Sequence, residues 1–221
     1  MEGVEKANFF WNDEVLQSRH PNEIKRLVIL DGPNLMHFTK GRGQPEICGL
    51  ISLTRYFVKN DFEVCIVLST GYINGKNIEH SAHLMKPLIR ARVVHVVQRN
   101  IIDDVIMLEL AKRTGGVVLS QDLYRDHLEN PKYNTVKDNT LRLDRQSVKI
   151  NERHMLTKNG HYVANHYFIF RDHGIFFSTP NQATHELVEY QRRGWSTEVK
   201  DRLLQLLDTI LLEARKEDLS R

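Results

Sequence analysis

The stretch LVILDGPN, residues 27–34, decides the fold of this chain because a short apolar run ends in an acidic turn. Residues 27–30 are all aliphatic, which is typical of a strand buried on both faces of a parallel sheet. Asp31 follows at once, and the next three residues, Gly-Pro-Asn, favour a turn. The stretch therefore predicts a buried strand whose carboxyl end presents a carboxylate.

The same alternation continues along the chain and predicts the fold class. Further aliphatic runs predict strands at residues 64–68, 93–97 and 117–120, and helical patterns lie between them at residues 47–60, 78–90 and 103–113. Strands separated by helices of this length form crossover units in a mostly parallel sheet. We predict an α/β fold with a three-layer α/β/α core. Pro87 is expected to end or kink its helix.

The remainder of the chain predicts appendages to this core. Residues 131–160 are polar and predict an irregular stretch with one short strand, whereas residues 167–177 predict a hairpin around Gly174. A leucine-rich pattern predicts a helix over residues 197–215. The predicted organisation is an N-terminal extension over 1–25, a domain over 26–180 and a C-terminal helical segment over 181–221.

Composition excludes several classes of protein. The chain has 221 residues, a net charge of +3 and two cysteines, too few for a disulfide scaffold. No secretion signal or membrane-length apolar run is present, so we expect a cytoplasmic protein without a membrane partner. His80 and His83 stand one helical turn apart, but no cysteine pair or HExxH pattern accompanies them, and we expect no zinc.

Four aspartates stand directly after predicted strands: Asp31, Asp103, Asp104 and Asp122. The carboxyl ends of parallel strands share one edge, where ligands bind. Taken singly, each aspartate has an ordinary structural explanation, since aspartate shapes turns and caps helix N-termini. Asp122 is expected to open a short helix. Taken together, several carboxylates at one edge repel one another, and a divalent cation with hard oxygen ligands, Mg²⁺ or possible Mn²⁺, relieves that repulsion. Asp126, four residues after Asp122, is expected to face the same rim.

The motifs at these positions resemble a known family, the NYN nuclease domain of the regnase-type ribonucleases. They are LDGPN at 30–34, ICGLI at 47–51, the pair Asp103-Asp104 and SQDLYRD at 120–126. In that family they usually read DGSN, CxGI, DD and SNDxYRD, in the same order. The resemblance covers roughly residues 26–180 and is specific because four motifs occur in sequence.

The resemblance implies a PIN-like fold and magnesium-dependent endonucleolytic cleavage of single-stranded RNA that leaves a 3′-hydroxyl and a 5′-phosphate. It assigns Asp31, Asp103, Asp104 and Asp122 to the catalytic metal site. It further implies that Asn34 and Asp126 support that site, Asn34 by orienting Asp31 or a metal-bound water and Asp126 by holding Arg125 or a water. These roles follow from the resemblance and not from spacing alone.

Three departures distinguish this chain from the family pattern. Pro33 replaces the usual serine, which removes a hydroxyl and a backbone donor beside Asp31. The basic segment before the aspartate pair is shortened to residues 98–102, which affects the grip on RNA. The CCCH zinc finger of the best-known members is missing from this sequence. This chain is more similar to the family members that lack the finger and act in small-RNA silencing.

Cations near the carboxylate rim are required for RNA binding, because phosphates dominate the affinity. The candidates are Lys40, Arg42, Arg99 and Arg125, with Arg142, Arg145 and Lys149 further along. Tyr124 and Tyr133 are candidates for stacking on bases. About half of these residues are expected to be ordinary surface.

Two alternatives remain open at this point. The broad apolar face of the C-terminal helix caps its own domain or, as the second possibility, binds a partner protein or a second copy of the chain. The whole protein is an endoribonuclease in mRNA decay or small-RNA silencing or, alternatively, a catalytically weak RNA-binding scaffold subunit. The set of aspartates favours the enzyme, whereas the shortened basic segment favours the scaffold.

Overall fold

The computed structural model describes residues 15–38, 47–73, 82–98, 102–144, 146–156, 162–191 and 194–219, with side chains described outside 150–167 and 215–219. The strands are β1 (Ile24–Lys25), β2 (Val28–Asp31), β3 (Val64–Ser69), β4 (Val94–Val97), β5 (Val117–Ser120), β6 (Thr140–Arg142), β7 (Val148–Leu156), β8 (Tyr162–Phe170) and β9 (Phe177–Ser178). The α-helices are α1 (Gly32–Phe38), α2 (Ile47–Lys59), α3 (Thr70–Ile73), α4 (Lys86–Arg90), α5 (Asp103–Thr114), α6 (Arg125–Leu128), α7 (His185–Gln191) and α8 (Thr197–Leu219).

A five-stranded parallel sheet in the order β4-β3-β2-β5-β6 forms the centre of the described chain. The predicted strands are all present within a residue or two of their expected bounds. β6 lies in the stretch 131–160, where one short strand was predicted without a position. This strand has only three residues, and its threonine and arginine give no aliphatic run to detect.

The two faces of the sheet are covered by different helices, which confirms the three-layer α/β core. Val28 and Leu30 pack on one face with α2 and α8, whereas Ile29 packs on the other face with α5. Successive side chains of a strand point to opposite faces, so Asp31 falls on the side of α5. All four residues of β2 are buried.

The helix predicted over residues 78–90 is shorter than expected. A 3-10 turn at Ala82–Met85 leads into α4, and residues 78–81 lie outside the described residues. Pro87 stands in the first turn of α4 rather than at its end. The missing proline N–H costs nothing there, because the first N–H groups of a helix have no partner within the helix.

The hairpin predicted around Gly174 is wrong. The observed hairpin pairs β7 with β8, from Val148 opposite Phe170 to Leu156 opposite Tyr162. Residues 174–176 form a 3-10 turn, and β9 pairs antiparallel with β1 instead. The aromatic run 167–170 correctly suggested one strand of a hairpin. Its partner strand, β7, comes earlier in the chain, and the many polar residues of β7 hide the apolar alternation expected of a strand.

The C-terminal helix α8 packs against α2 and extends to Leu219, four residues beyond the predicted end. Its buried face is formed by Leu203, Leu207, Ile210, Leu211 and Ala214. Most positions that face solvent are polar, among them Arg202, Gln205, Thr209 and Glu213, whereas Val199 in the first turn is 47% exposed. The apolar stripe of this helix thus caps its own domain, and binding of a partner or a second copy stays a prediction.

No helix within the described ranges combines the length and the apolar character that a bilayer crossing requires.

Candidate active site

The sheet order reverses between β2 and β5, and a crevice opens at their carboxyl ends. β2 pairs with β3 on one side and with β5 on the other, although β5 comes much later in the chain. In open parallel sheets ligands bind at such a reversal. Asp31 is the last residue of β2 and Ser120 is the last residue of β5, so both lie at this point.

Asp31 is held by a dense set of hydrogen bonds. Its Oδ2 accepts from Asn34 Nδ2 at 2.6 Å, from the Ser120 hydroxyl at 2.5 Å and from the Tyr124 hydroxyl at 3.0 Å. Its Oδ1 accepts from the Asn34 backbone N–H at 3.2 Å, so this aspartate also caps α1. The structure therefore confirms the contact predicted between Asn34 and Asp31.

Burial and these hydrogen bonds shift the pKa of Asp31 in opposite directions. The residue is only 1% exposed, and burial raises the pKa of its carboxyl group. The hydrogen bonds from Ser120, Asn34 and Tyr124 stabilise the charged form and oppose that rise. A carboxylate that is buried and still surrounded by donors is arranged to carry a negative charge in the interior.

Asp103 and Asp104 occupy the first turn of α5, whose N-terminus points at the same crevice. The capping residue of this helix is Ile102, whose side chain makes no capping hydrogen bond. Asp103 is therefore not the helix cap. Both aspartates are half-buried, and the helix dipole favours their negative charge.

The ionisation of Asp104 shows that the carboxylates face one another. The pKa of Asp104 is raised to about 6, first by burial and then by the negative charges of Asp31, Asp103 and Asp122. His127, whose Nε2 lies 3.9 Å from Asp104 Oδ2, acts in the opposite direction. Side chains from β2, α5 and the loop after β5 thus share one electrostatic environment.

Asp122 does not open a helix, which corrects that prediction, because α6 begins three residues later with Tyr124 as its capping residue. The Oδ1 of Asp122 instead accepts the backbone N–H groups of Leu123 at 2.6 Å and Tyr124 at 3.1 Å. The aspartate itself is exposed. It lines an open crevice of about 390 Å³ together with Asp104 and Asp126, so Asp126 does face the same rim.

The donor set fits a hydrated cation better than a closed ligand shell. Among the residues that the structure describes, no three aspartate, glutamate, histidine or cysteine side chains gather closely enough to hold one metal ion together. Mg²⁺ usually keeps several waters and binds one or two carboxylates together with substrate phosphate. Carboxylate oxygens that repel one another across a water-filled crevice suit that mode of binding, and Asp31 and Asp104 are the residues best placed for it.

The two tyrosines predicted to stack on bases are buried. Tyr124 is 2% exposed and Tyr133 is 4% exposed, and their hydroxyls donate to Asp31 and to Glu109 Oε1. Neither ring is open to a nucleotide. The stacking hypothesis is therefore wrong for both, because their rings fill the hydrophobic cluster beneath α5.

The described cations at the crevice are Arg125 and Arg142, and the imidazole of His127 lies beside them. Arg125 and Arg142 are exposed, and Arg142 is the last residue of β6, opposite Ser120 in the neighbouring strand. Lys149 is exposed on β7 outside the crevice lining. The other predicted cations, Lys40, Arg42, Arg99 and Arg145, lie outside the described residues.

Three side chains near the aspartates were not predicted from the sequence as parts of the site: Ser120, Tyr72 and His127. The pKa of Tyr72 is raised by burial and then by the negative charges of Asp103 and Asp31, which places this ring beside them. Tyr72 lies in α3, the short helix that follows β3, so its position just after a strand was an available signal. Ser120 had the same signal, whereas nothing in the local sequence pairs His127 with Asp104.

Comparison with known proteins agrees with the fold. Residues 24–165, more than half of the chain, match the family described as Zc3h12a-like Ribonuclease NYN domain. Two solved structures of nuclear protein-only RNase P 2 (PRORP2) from Arabidopsis thaliana are similar at 17% identity, with TM-scores of 0.46 and 0.44. The matches cover 66% and 64% of this chain but only 30% of each of those chains. No match is found among curated protein sequences.

Proposed function

The chain belongs to the Zc3h12a-like ribonuclease NYN domain family, and from this membership we propose that it is a magnesium-dependent endoribonuclease acting on single-stranded RNA. The observation that carries the proposal is geometric: Asp31 ends β2, Asp122 follows the neighbouring strand β5, and Asp104 in the first turn of α5 lines the same crevice as Asp122. The negative charges of Asp31, Asp103 and Asp122 raise the pKa of Asp104, in keeping with this arrangement. Carboxylates near one another repel, and a divalent cation relieves that repulsion.

The proposed cation site is built from carboxylates of three elements. Asp31, Asp103, Asp104 and Asp122 would hold the cation through their carboxylate oxygens. Asn34 and Asp126 support the site at its edge. Mg²⁺ is the preferred ion, with Mn²⁺ as a substitute, because both favour hard oxygen ligands. When bound, such an ion neutralises phosphate charge and lowers the pKa of water for in-line attack.

The chain's own residues position the substrate for this reaction. Arg125 and Arg142 carry positive charge at the crevice, where the backbone of an RNA would lie. A single strand can bend one phosphate into the crevice, whereas an A-form duplex holds its phosphates along a regular helix. Water adds to phosphorus and the bond to the 3′-oxygen breaks, which leaves a 3′-hydroxyl and a 5′-phosphate.

The cellular setting follows from the same family resemblance. We place the activity in the cytoplasm, in mRNA decay or small-RNA silencing. A partner protein or a second copy of the chain, bound through the C-terminal helix, would then select the RNA.

The test is a cleavage assay on an unstructured RNA with a 5′ label, with Mg²⁺ or with excess EDTA. We compare the natural chain with Asp104→Asn and with Asp138→Asn, an exposed aspartate that precedes β6 and so lies at the opposite edge of the sheet. Cleavage should require Mg²⁺, fall at least about 100-fold in Asp104→Asn and persist in Asp138→Asn. Equal activity in Asp104→Asn and the natural chain would place the site elsewhere.

The same assay addresses the scaffold alternative. If the natural chain binds the RNA in a gel-shift experiment yet leaves it intact across concentrations of Mg²⁺ and Mn²⁺, the protein is an RNA-binding subunit and the proposed catalysis is wrong.

A further inference from the structure

The two oxygens of Asp31 are in different situations. Oδ2 accepts three side-chain donors, from Asn34, Ser120 and Tyr124, at 2.5–3.0 Å. Oδ1 accepts one described donor, the backbone N–H of Asn34, at the longer distance of 3.2 Å. A carboxylate oxygen has about two lone-pair directions, so Oδ2 is fully occupied by the protein whereas Oδ1 keeps capacity for a further partner.

Ser120 fixes the direction of one of these bonds. Its hydroxyl donates to Asp31 Oδ2 at 2.5 Å and accepts the backbone N–H of Asp122 at 3.0 Å. A hydroxyl has one hydrogen, so the acceptance from Asp122 leaves its proton directed at Asp31. Ser120 is completely buried, and it thereby ties the carboxylate of β2 to the loop that carries Asp122.

Tyr124 reaches Asp31 from an unusual backbone conformation. Its φ of 49° and ψ of 31° lie in the left-handed region, which costs a residue with a side chain about 1 kcal/mol or more. This conformation directs the ring into the interior, where the hydroxyl meets Asp31 Oδ2. A carboxylate oxygen accepts, so the phenol of Tyr124 is the donor of this bond.

Asp122 shows the same division between its oxygens. Its Oδ1 accepts two backbone N–H groups, those of Leu123 and Tyr124. Within the described part of the chain, its Oδ2 accepts no hydrogen bond. Each of these aspartates thus has one oxygen bound by the protein and another with capacity left.

We propose that Ser120 and Tyr124 are positioning residues, which occupy Oδ2 of Asp31 and so present Oδ1 to the divalent cation. The inference rests on the proposed function, because it concerns the same cation. Without the two hydroxyls the carboxylate can rotate, and its negative charge spreads over orientations that do not face the crevice. The cation then binds less tightly, although every carboxylate is still present.

The variants that test this inference are Tyr124→Phe and Ser120→Ala, and the chain offers matched controls. Tyr133→Phe also removes the hydroxyl of a buried tyrosine, but one bonded to Glu109. Ser178→Ala removes the hydroxyl of a serine that is likewise fully buried. Each protein is titrated with Mn²⁺ without RNA, and electron paramagnetic resonance measures the free ion. Thermal unfolding in EDTA shows whether each variant folds.

Both test variants should bind Mn²⁺ about 10-fold or more weakly, the usual effect of losing a partner of a ligand, while both controls stay within about twofold. Raising Mn²⁺ should restore cleavage by the test variants. If one variant fails to fold, the other decides, and Asn34→Ala, which removes the third donor to Oδ2, is a further variant of the same kind.

The outcomes separate the two proposals. If the natural chain and both controls bind Mn²⁺ and the test variants bind it equally well, the positioning role is wrong and the proposed function stands. If the natural chain itself binds no Mn²⁺, the cation site of the proposed function is wrong, and the positioning role is wrong with it.

Discussion

Arg55 Nε donates to Asp208 Oδ1 at 2.5 Å, and Arg55 Nη2 donates to Asp208 Oδ2 at 3.4 Å. This paired contact joins α2 to α8 across 153 residues of sequence. The Arg55 side chain is 11% exposed and that of Asp208 is 33% exposed, so water screens the pair only weakly. The C-terminal helix is therefore fastened to the domain by charge as well as by its leucines.

Asp208→Ala should lower the free energy of unfolding by about 1.5–3 kcal/mol, because it removes charge-assisted hydrogen bonds that water screens only weakly. Urea denaturation measures the change. The matched control is Glu198→Ala, which breaks the pair with Arg202 on the same helix, where both side chains are more than 70% exposed. That change should cost less than about 0.5 kcal/mol. Equal losses in the two variants would contradict the described packing of α8.

Asp104→Asn should stabilise the metal-free protein at pH 7.5. The pKa of Asp104 is raised from 3.8 to about 6 in the folded chain, so ionisation is easier after unfolding. Protonated Asp104 therefore contributes fully to the stability of the folded chain below about pH 4, and this contribution is lost as the pH rises through about 6. The shift corresponds to about 3 kcal/mol, which solvent screening reduces to roughly 1–2 kcal/mol.

Thermal unfolding in EDTA at pH 4 and pH 7.5 checks this prediction. The asparagine variant should melt at a higher temperature than the natural chain at pH 7.5 and at nearly the same temperature at pH 4. A lower melting temperature at pH 7.5 would mean that the carboxylates do not repel one another.

Arg142→Gln and Arg125→Gln should each weaken binding of single-stranded RNA, by about three- to tenfold at low salt. A plot of the logarithm of affinity against the logarithm of salt concentration should also become less steep, by about 1 in slope for each variant. Fluorescence anisotropy in EDTA measures binding without cleavage. Arg113→Gln is the control, since Arg113 is exposed at the far end of α5. A loss as large in the control would show that net charge alone governs binding.

Gly32→Ala should destabilise the domain by about 1–3 kcal/mol, because overpacking forces the backbone to move. A Cβ at this position would lie 2.7 Å from the carbonyl oxygen of Val67 and 2.9 Å from Leu68 Cδ1. Gly194→Ala is a useful comparison, since its φ of +65° is strained for alanine but no atom lies within 4 Å of the added group. Chemical denaturation of both variants separates crowding from backbone strain, and an unchanged Gly32→Ala would contradict the close approach of α1 to β3.

The sequence predicted the parallel sheet because its central strands are aliphatic runs, and burial on both faces leaves that pattern plainly visible. The same reasoning could not place β6, whose three residues include a threonine and an arginine. It also misplaced the hairpin, because the partner of residues 167–170 is a strand with many polar residues. Tertiary pairing decided both segments.

At the site, the sequence placed Asp31, Asp103, Asp104 and Asp122 at strand ends. In the structure Asp104 and Asp122 line one crevice, and the charges of Asp31, Asp103 and Asp122 act on Asp104. Their roles as cation ligands stay predictions. The environment of Asp31 was not predictable, because Ser120 and Tyr124 reach it from 89 and 93 residues away. The polar neighbours of Tyr124 suggested that its ring would be exposed. Its left-handed backbone conformation directs the ring into the interior instead.

The position of β6 at the end of the sheet limits how far this domain can be shortened. A fragment that stops at residue 139 would retain every aspartate of the crevice but would leave the edge of β5 that faces β6 without a neighbouring strand. Such an open edge pairs readily with other chains, so the fragment should aggregate although its acidic residues are complete. Any minimal version of the domain has to reach past Arg142.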